Sequence, residues 1–177
     1  MAIVRSAYAL RKNDLYETEA WATRALLRHL DVKGLSIIEP AAGNHKIADV
    51  LKLAGANVFT SDIAVYDREH DHVGDFFDET KTINENDPSI ESIVTNPPYG
   101  HRNSTAQKFA RHALEIVDGY VALLMTMKFD SGKKRTDLFR DNDRFIGKIV
   151  LLDRISLIGN GESGTEDHAW YVWGPKL

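Results

Sequence analysis

Four consecutive residues, Asn96-Pro97-Pro98-Tyr99, combine the types that can handle a planar amine. The Asn96 side-chain carbonyl and the main-chain carbonyls of Asn96 and Pro97 are acceptors, and Tyr99 offers a flat face for stacking. Two prolines remove two backbone donors and fix φ, so the chain runs extended and stiff through this corner. An exocyclic amine such as that of adenine would find two acceptors and a stacking surface there. A second stretch, Ile37-Ile38-Glu39-Pro40-Ala41-Ala42-Gly43-Asn44, reads as strand, turn and helix start. Its glycine lets a ligand approach the backbone, and the following helix N-terminus offers free amide donors to a carboxylate. Asp62 closes the next apolar run, where a carboxylate can accept both hydroxyls of a ribose.

The elements that must position these residues are legible from periodicity. Ile90-Glu91-Ser92-Ile93-Val94-Thr95 is a short β-branched run, read as a buried strand that delivers Asn96 to the carboxyl edge of a sheet, where open α/β sheets bind ligands. Upstream, Trp21, Ala22, Ala25, Leu26 and Leu30 recur at helical spacing, with Thr18 as the expected N-cap. Leu35 to Glu39 and Asn57 to Ser61 read as strands around a helix marked by Ile47, Val50, Leu51 and Ala54 and closed by Gly55. Ser104 to Gln107 reads as a capping box ahead of the stripe Ala106, Phe109, Ala110, Ala113, Leu114 and Val117. Tyr120 to Met127 is a strand of the kind buried on both faces, and a helix is expected around Thr136 to Arg144. Ile149 to Leu157 and His168 to Trp173 are the last two strands, with Trp170 and Trp173 as core. Alternating strands and helices, then two strands without a helix between them, predict an α/β fold. Its sheet is mostly parallel with an antiparallel last strand.

Bulk properties narrow the function classes. A chain of 177 residues is the size of one domain, read as an N-terminal arm (1–14) and a single catalytic domain (15–177). With 22 Lys and Arg against 26 Asp and Glu, the net charge is −4, so bulk electrostatics would not hold it on nucleic acid. Local positive charge exists between Lys128 and Lys148, where seven bases face four acids. The absence of cysteine excludes disulfides, thiolate metal sites and a thiolate nucleophile. Glu69-His70-Asp71-His72 are consecutive with no second cluster to face them, so they read as loop and no metal is expected. No apolar run is long enough to span a bilayer and no signal peptide opens the chain, so a cytoplasmic location is expected.

The Asn-Pro-Pro-Tyr corner resembles the signature of the N6-adenine and N4-cytosine amino-methyltransferases that use S-adenosylmethionine. The motifs run in that family's order from Tyr16 to Trp173. The resemblance implies a class I methyltransferase, Rossmann-like fold and a catalytic corner of Asn96, Pro97, Pro98 and Tyr99, with Tyr99 stacking a base flipped out of the duplex. It implies a cofactor site of Glu39, Pro40, Ala41 and Gly43 in the turn, Asp62 at the ribose with Ile63 following it, Asp75 and either Phe76 or Phe77 at the adenine, and Asn96. Tyr16 and Thr18 would help hold the methionine carboxylate. The chain departs from the family at two places: His45 stands where a second glycine is usual, and Glu19 stands where a proline follows the threonine. The imidazole is expected to narrow the methionine end, and Glu17 and Glu19 are awkward neighbours for a carboxylate. The cysteine-free composition also excludes methylation at cytosine C5.

The expected activity is methyl transfer to an exocyclic amine, adenine N6 in DNA first, with cytosine left open. The same corner would serve an RNA base or a glutamine amide, and a catalytically silent fold acting as a binding module is the rival from another class. The expected partner is nucleic acid, held through loops, the Lys128–Lys148 region, and His101 and Arg102 beyond the corner. The chain is similar to small phage or prophage methyltransferases without a target-recognition domain, so sequence preference would come from loops, a homodimer or a recognition partner.

Overall fold

The computed structural model describes residues 17–78, 90–156 and 164–177. The arm expected over 1–14, Tyr16, and Leu157 lie outside them. In chain order come α1 (Ala20–Leu27), β1 (Ser36–Glu39), α2 (Lys46–Leu53), β2 (Asn57–Asp62), β3 (His72–Val73) and β4 (Ser92–Thr95). A 3-10 turn at His101–Asn103 leads into α3 (Ser104–Ile116), followed by β5 (Val121–Thr126), β6 (Phe145–Val150) and β7 (His168–Trp173). The strands form one sheet in the order β3-β2-β1-β4-β5-β7-β6. The pairs β1–β2, β2–β3, β1–β4 and β4–β5 are parallel, and β7 lies antiparallel between β5 and β6. This is the α/β class and strand direction predicted from the sequence.

Two-residue alternation sorts each central strand onto two cores. Ile37 of β1, Val94 of β4, Ala122 and Leu124 of β5, and Trp170 and Val172 of β7 face α1 and α2 with Ala22, Leu26, Ile47 and Leu51. Ile38, Ile93, Val121, Leu123, Met125, Ala169, Tyr171 and Trp173 face the other way, against Phe109, Ala110 and Ala113 of α3. A strand covered on both faces must be apolar throughout, which is why β5 reads as an uninterrupted run. Trp170 and Trp173 are fully buried, and their indole nitrogens donate to the carbonyls of Ala22 (2.8 Å) and Leu138 (2.6 Å).

Four local expectations are corrected. Thr18 does not cap α1; Glu19 occupies that position, without a side-chain cap, and Thr18 is drawn elsewhere. Ser104 is the first residue of α3 rather than its cap, because Asn103 precedes it in the left-handed region at φ 61° and no side chain caps the helix. Residues 136–142 form turns rather than a helix, since the Asp and Asn side chains there compete for the backbone; Asn142 Oδ1 accepts from the Arg144 amide at 3.0 Å. The sixth strand starts at Phe145, earlier than Ile149, and is spent by Val150. A register shift between Phe145 and Gly147 hides its period.

Candidate functional site

From β1 the chain winds to β2 and β3 on one side and to β4 and β5 on the other, which opens a crevice beyond the carboxyl ends of β1 and β4. A cavity of about 280 Å³ occupies it. Its floor is the turn after β1: Glu39, Pro40, Ala41 and Gly43 all line it. Gly43 adopts φ 49°, and its amide donates to Asp62 Oδ2 at 2.9 Å, so the end of β2 is tied to the turn. Asp62 and the half-exposed Ile63 line the adjoining wall, and Asp75 and Phe76 line the next. Phe76 is also core, stacked on Phe109 with ring centroids 4.3 Å apart.

Glu39 is 1% exposed, and its Oε2 accepts from the Ala48 amide at 2.8 Å, fastening α2 to the end of β1. Burial pushes its pKa well above the ordinary carboxylate range; the Ala48 bond opposes this, and the Asp62 and Asp49 charges add to it. Glu39 therefore combines a structural bond with a place in the wall.

Asn96 and Pro98 form the opposite wall with Thr105 of α3. Asn96 Nδ2 donates to Thr18 Oγ1 at 3.1 Å, so the residue expected at the helix cap is the partner that orients the asparagine. Asn96 Oδ1 is buried and has no partner. An unsatisfied buried carbonyl costs about 1–3 kcal/mol, so it is a position that a ligand donor would stabilise. Gly100 turns the chain at φ 65°, and a Cβ there would lie 2.1 Å from Thr105 Oγ1; only glycine lets the corner fold onto α3.

Pro97 and Tyr99 do not line this cavity. Pro97 is buried, and the Tyr99 hydroxyl donates to the Leu124 carbonyl at 3.2 Å while its ring lies 6.1 Å from that of His168. The expected narrowing by His45 is also overturned. At φ 64° the residue does occupy a glycine-like corner, but its imidazole leaves the cavity wall and meets His70, with Nε2 and Nδ1 2.8 Å apart. Nor does Glu19 crowd the pocket, for its carboxylate accepts from the Ser156 amide at 2.8 Å. Glu17 does line the cavity, bonded through Oε1 to Asn44 Nδ2 at 2.7 Å.

The sequence does not mark Lys46, Tyr66, Thr105 and Phe109 as lining residues, whereas Phe77, an alternative to Phe76 at the adenine, does line the cavity. Phe109 carried a helical-stripe signal that marked it only as core, and Tyr66 had no periodic signal at all. In the stretch from Glu69 to His72, Asp71 Oδ2 accepts from the amide and hydroxyl of Thr60, both at 2.8 Å, which ties the loop ahead of β3 to β2. Much of the charge between Lys128 and Lys148 is likewise spent on the fold. Arg144 feeds the carbonyls of Leu114, Val117, Gly119 and Gly174, and Lys148 binds the Met127 carbonyl and Asp130. Lys128, Lys133 and Lys134 remain exposed, as do His101 and Arg102. No helix among the described residues is long and apolar enough to cross a membrane.

No protein-family model matches the chain, and no curated protein matches it in sequence. Solved structures do. A candidate RNA methyltransferase from Pyrococcus horikoshii superposes with TM-score 0.64 at 15% identity, over 97% of this chain and 94% of that one. The modification subunit of a candidate type I restriction enzyme from Vibrio vulnificus gives 0.60 at 14% identity, over 90% of this chain and 45% of its own. A release-factor-specific protein-(glutamine-N5) methyltransferase from Alicyclobacillus acidocaldarius gives 0.50 at 16%, over 87% and 90%. At such identities the likeness speaks for architecture, and that architecture is the Rossmann-like fold of the class I methyltransferases.

Proposed function

We propose that the chain is an S-adenosylmethionine-dependent methyltransferase acting on an exocyclic amine, with adenine N6 in DNA as the substrate. The observation that carries this reading is the orphaned Asn96 Oδ1 at a proline-stiffened corner, across one cavity from a glycine turn and a ribose-competent acid. The residues present fit the cofactor. Asp62 is nearly buried at the end of β2, and the Gly43 turn admits backbone contact. The carboxylates of Glu17, Asp62 and Asp75 around the cavity favour a cationic sulfonium.

S-adenosylmethionine supplies an electrophilic methyl group on sulfur. Asn96 Oδ1 accepts a hydrogen bond from the amine, which localises on nitrogen a lone pair otherwise shared with the ring. Thr18 holds the asparagine so that Oδ1 rather than Nδ2 faces the substrate. The walls keep the reactants adjacent, and proximity supplies most of the acceleration. A strong base is unnecessary, because the methylated amine is cationic and acidic. Tyr99, beside the cavity rather than in it, would stack the flipped base from outside the cofactor wall.

The test is transfer of a labelled methyl group to DNA, RNA and protein acceptors, with digestion of the product to identify the modified base. N6-methyladenine in DNA is the expected product. Label in RNA or in glutamine would move the assignment to those substrates, and cofactor binding without transfer to any acceptor would identify a silent fold.

A further inference from the structure

The imidazole at position 45 does not enter the cavity, yet it is 5% exposed in a left-handed corner that favours glycine. We propose that His45 and His70 are a positioning pair. In this pair a neutral imidazole-to-imidazole hydrogen bond holds the loop after β2 as the nucleoside-side wall of the cavity. The proposal rests on reading that cavity as the S-adenosylmethionine site.

The bonds form a circuit that begins and ends at the glycine turn. The Gly43 amide donates to Asp62 Oδ2, and Asp62 Oδ1 takes the Ala64 amide at 3.4 Å. The Ala64 carbonyl lies 3.1 Å from His70 Nε2, and His70 Nδ1 lies 2.8 Å from His45 Nε2. His45 returns the circuit to the turn by donating its own amide to the Ala42 carbonyl at 2.7 Å. Ala64 sits between Ile63 and the loop that carries Tyr66, both of which line the cavity. Both polar groups of its backbone are thus fixed from the turn.

The circuit also dictates the tautomers. A carbonyl only accepts, so in the neutral pair His70 Nε2 carries the proton and His70 Nδ1 is the acceptor. His45 Nε2 must then donate, which leaves His45 Nδ1 bare, buried and without a partner. A proton added to His70 Nδ1 would set two N–H groups head to head, and one added to His45 Nδ1 would be a buried donor with no acceptor.

The surroundings favour the neutral pair. Burial pulls the His45 pKa below that of a free imidazole, Arg68 and His70 push it the same way with a smaller share from Lys52, and Asp49 opposes. Asp49 is engaged by Arg68 at 2.6 Å, Asp71 by Thr60, and the Tyr66 ring stands edge-on to His70 at 6.4 Å. A group whose folded pKa is depressed contributes fully above its unfolded value near 6.5, and loses that contribution as the pH falls below it.

Calorimetry with S-adenosylhomocysteine on the whole chain, at pH 8.0 and 5.5, tests the pair. The unaltered protein should bind roughly three- to tenfold more weakly at the lower pH, the worth of about one net hydrogen bond. His70→Ala and His45→Gly should show that loss already at pH 8.0 and be flat between the two pH values. His45→Gly should do so while melting no lower than the parent, because glycine suits φ 64°. Wild-type affinity with an unchanged pH profile in both variants would overturn the proposal. Long-range proton–nitrogen spectra of the imidazoles at pH 8.0 give an independent reading: both Nε2 atoms should be protonated, and a protonated Nδ1 on either ring overturns the pair. Both tautomers in place in a chain that binds no cofactor analogue at any pH would sink the cofactor reading and support the pair.

Discussion

The two walls of the cavity are built to opposite rules. On the β2 side, Asp62 serves Gly43 and Ala64, and the loop behind it is latched through His70 and anchored by Asp71 on Thr60. On the β4 side, Asn96 spends its donor on Thr18 and leaves its acceptor buried and empty. Apart from the bare His45 Nδ1 behind it, the polar groups named on the β2 side satisfy one another, which makes that wall a scaffold suited to binding by shape and fixed charge. A wall with an orphaned acceptor, beside a glycine that tolerates no side chain, carries a local cost that a ligand donor would relieve. On the proposed function, the difference separates binding from chemistry along one crevice.

The sharpest way to break that division is Asn96→Ala. It should lower the methyl-transfer rate by at least about 10²–10³-fold, the usual loss when one preorganised polar contact to the reacting group is removed. Affinity for S-adenosylhomocysteine, measured by calorimetry, should stay within a few-fold. Retained turnover would remove Asn96 from the chemistry, whereas lost binding would mean that the two walls are not separable.

Asp62→Asn attacks the opposite wall. The amide keeps an oxygen for the Gly43 amide but loses the charge that would hold two ribose hydroxyls. Affinity should fall about 10–100-fold, the range for charged hydrogen bonds, with the fold intact by circular dichroism. A change smaller than threefold would show that the carboxylate serves the turn alone.

The sequence carried the strand directions, the corner and the acid at the end of β2, because each depends on a local pattern that burial on two faces or a proline pair enforces; the order of the strands in the sheet comes from the structure. It did not carry partners set by distant contacts. Thr18 looked like a helix cap, a local role, and lost it to Asn96, which is 78 residues away. His45 looked like an obstruction because only its backbone neighbours were visible; its partner, His70, lies in a stretch with no periodicity. Arg144 and Lys148 looked like a basic face, but carbonyls left open at the ends of α3 and β5 claim them.

The cations left over from the fold mark where nucleic acid would contact the chain. With Arg144 and Lys148 engaged in the fold, Lys133 and Lys134 are exposed cations free to meet phosphate. Lys133→Glu with Lys134→Glu should weaken DNA binding about tenfold in fluorescence anisotropy at low salt, and the deficit should shrink as salt rises. Arg144→Ala would instead lower stability, because four carbonyls lose their donor. A double reversal without effect on DNA affinity would move the interface to His101 and Arg102.

The smallest effect tests whether the scaffold wall is as settled as its bonds suggest. Glu39 is satisfied at Oε2 but buried as an acid, and burial raises its pKa well above the usual range. A group raised in the folded state contributes most below its unfolded value of 4.5 and loses that contribution as the pH rises through its folded value. At pH 8 the buried acid is therefore a burden that Glu39→Gln removes, while the amide oxygen can still accept from Ala48. The melting temperature of Glu39→Gln should exceed that of the parent by roughly 2–4 °C at pH 8, the shift of about 1 kcal/mol in a chain of this size, and the gain should vanish toward pH 4.5. A variant that melts lower than the parent at pH 8 would mean that the negative charge of Glu39 is held favourably in the wall, and the contrast between the two sides of the cavity would lose its simplest term.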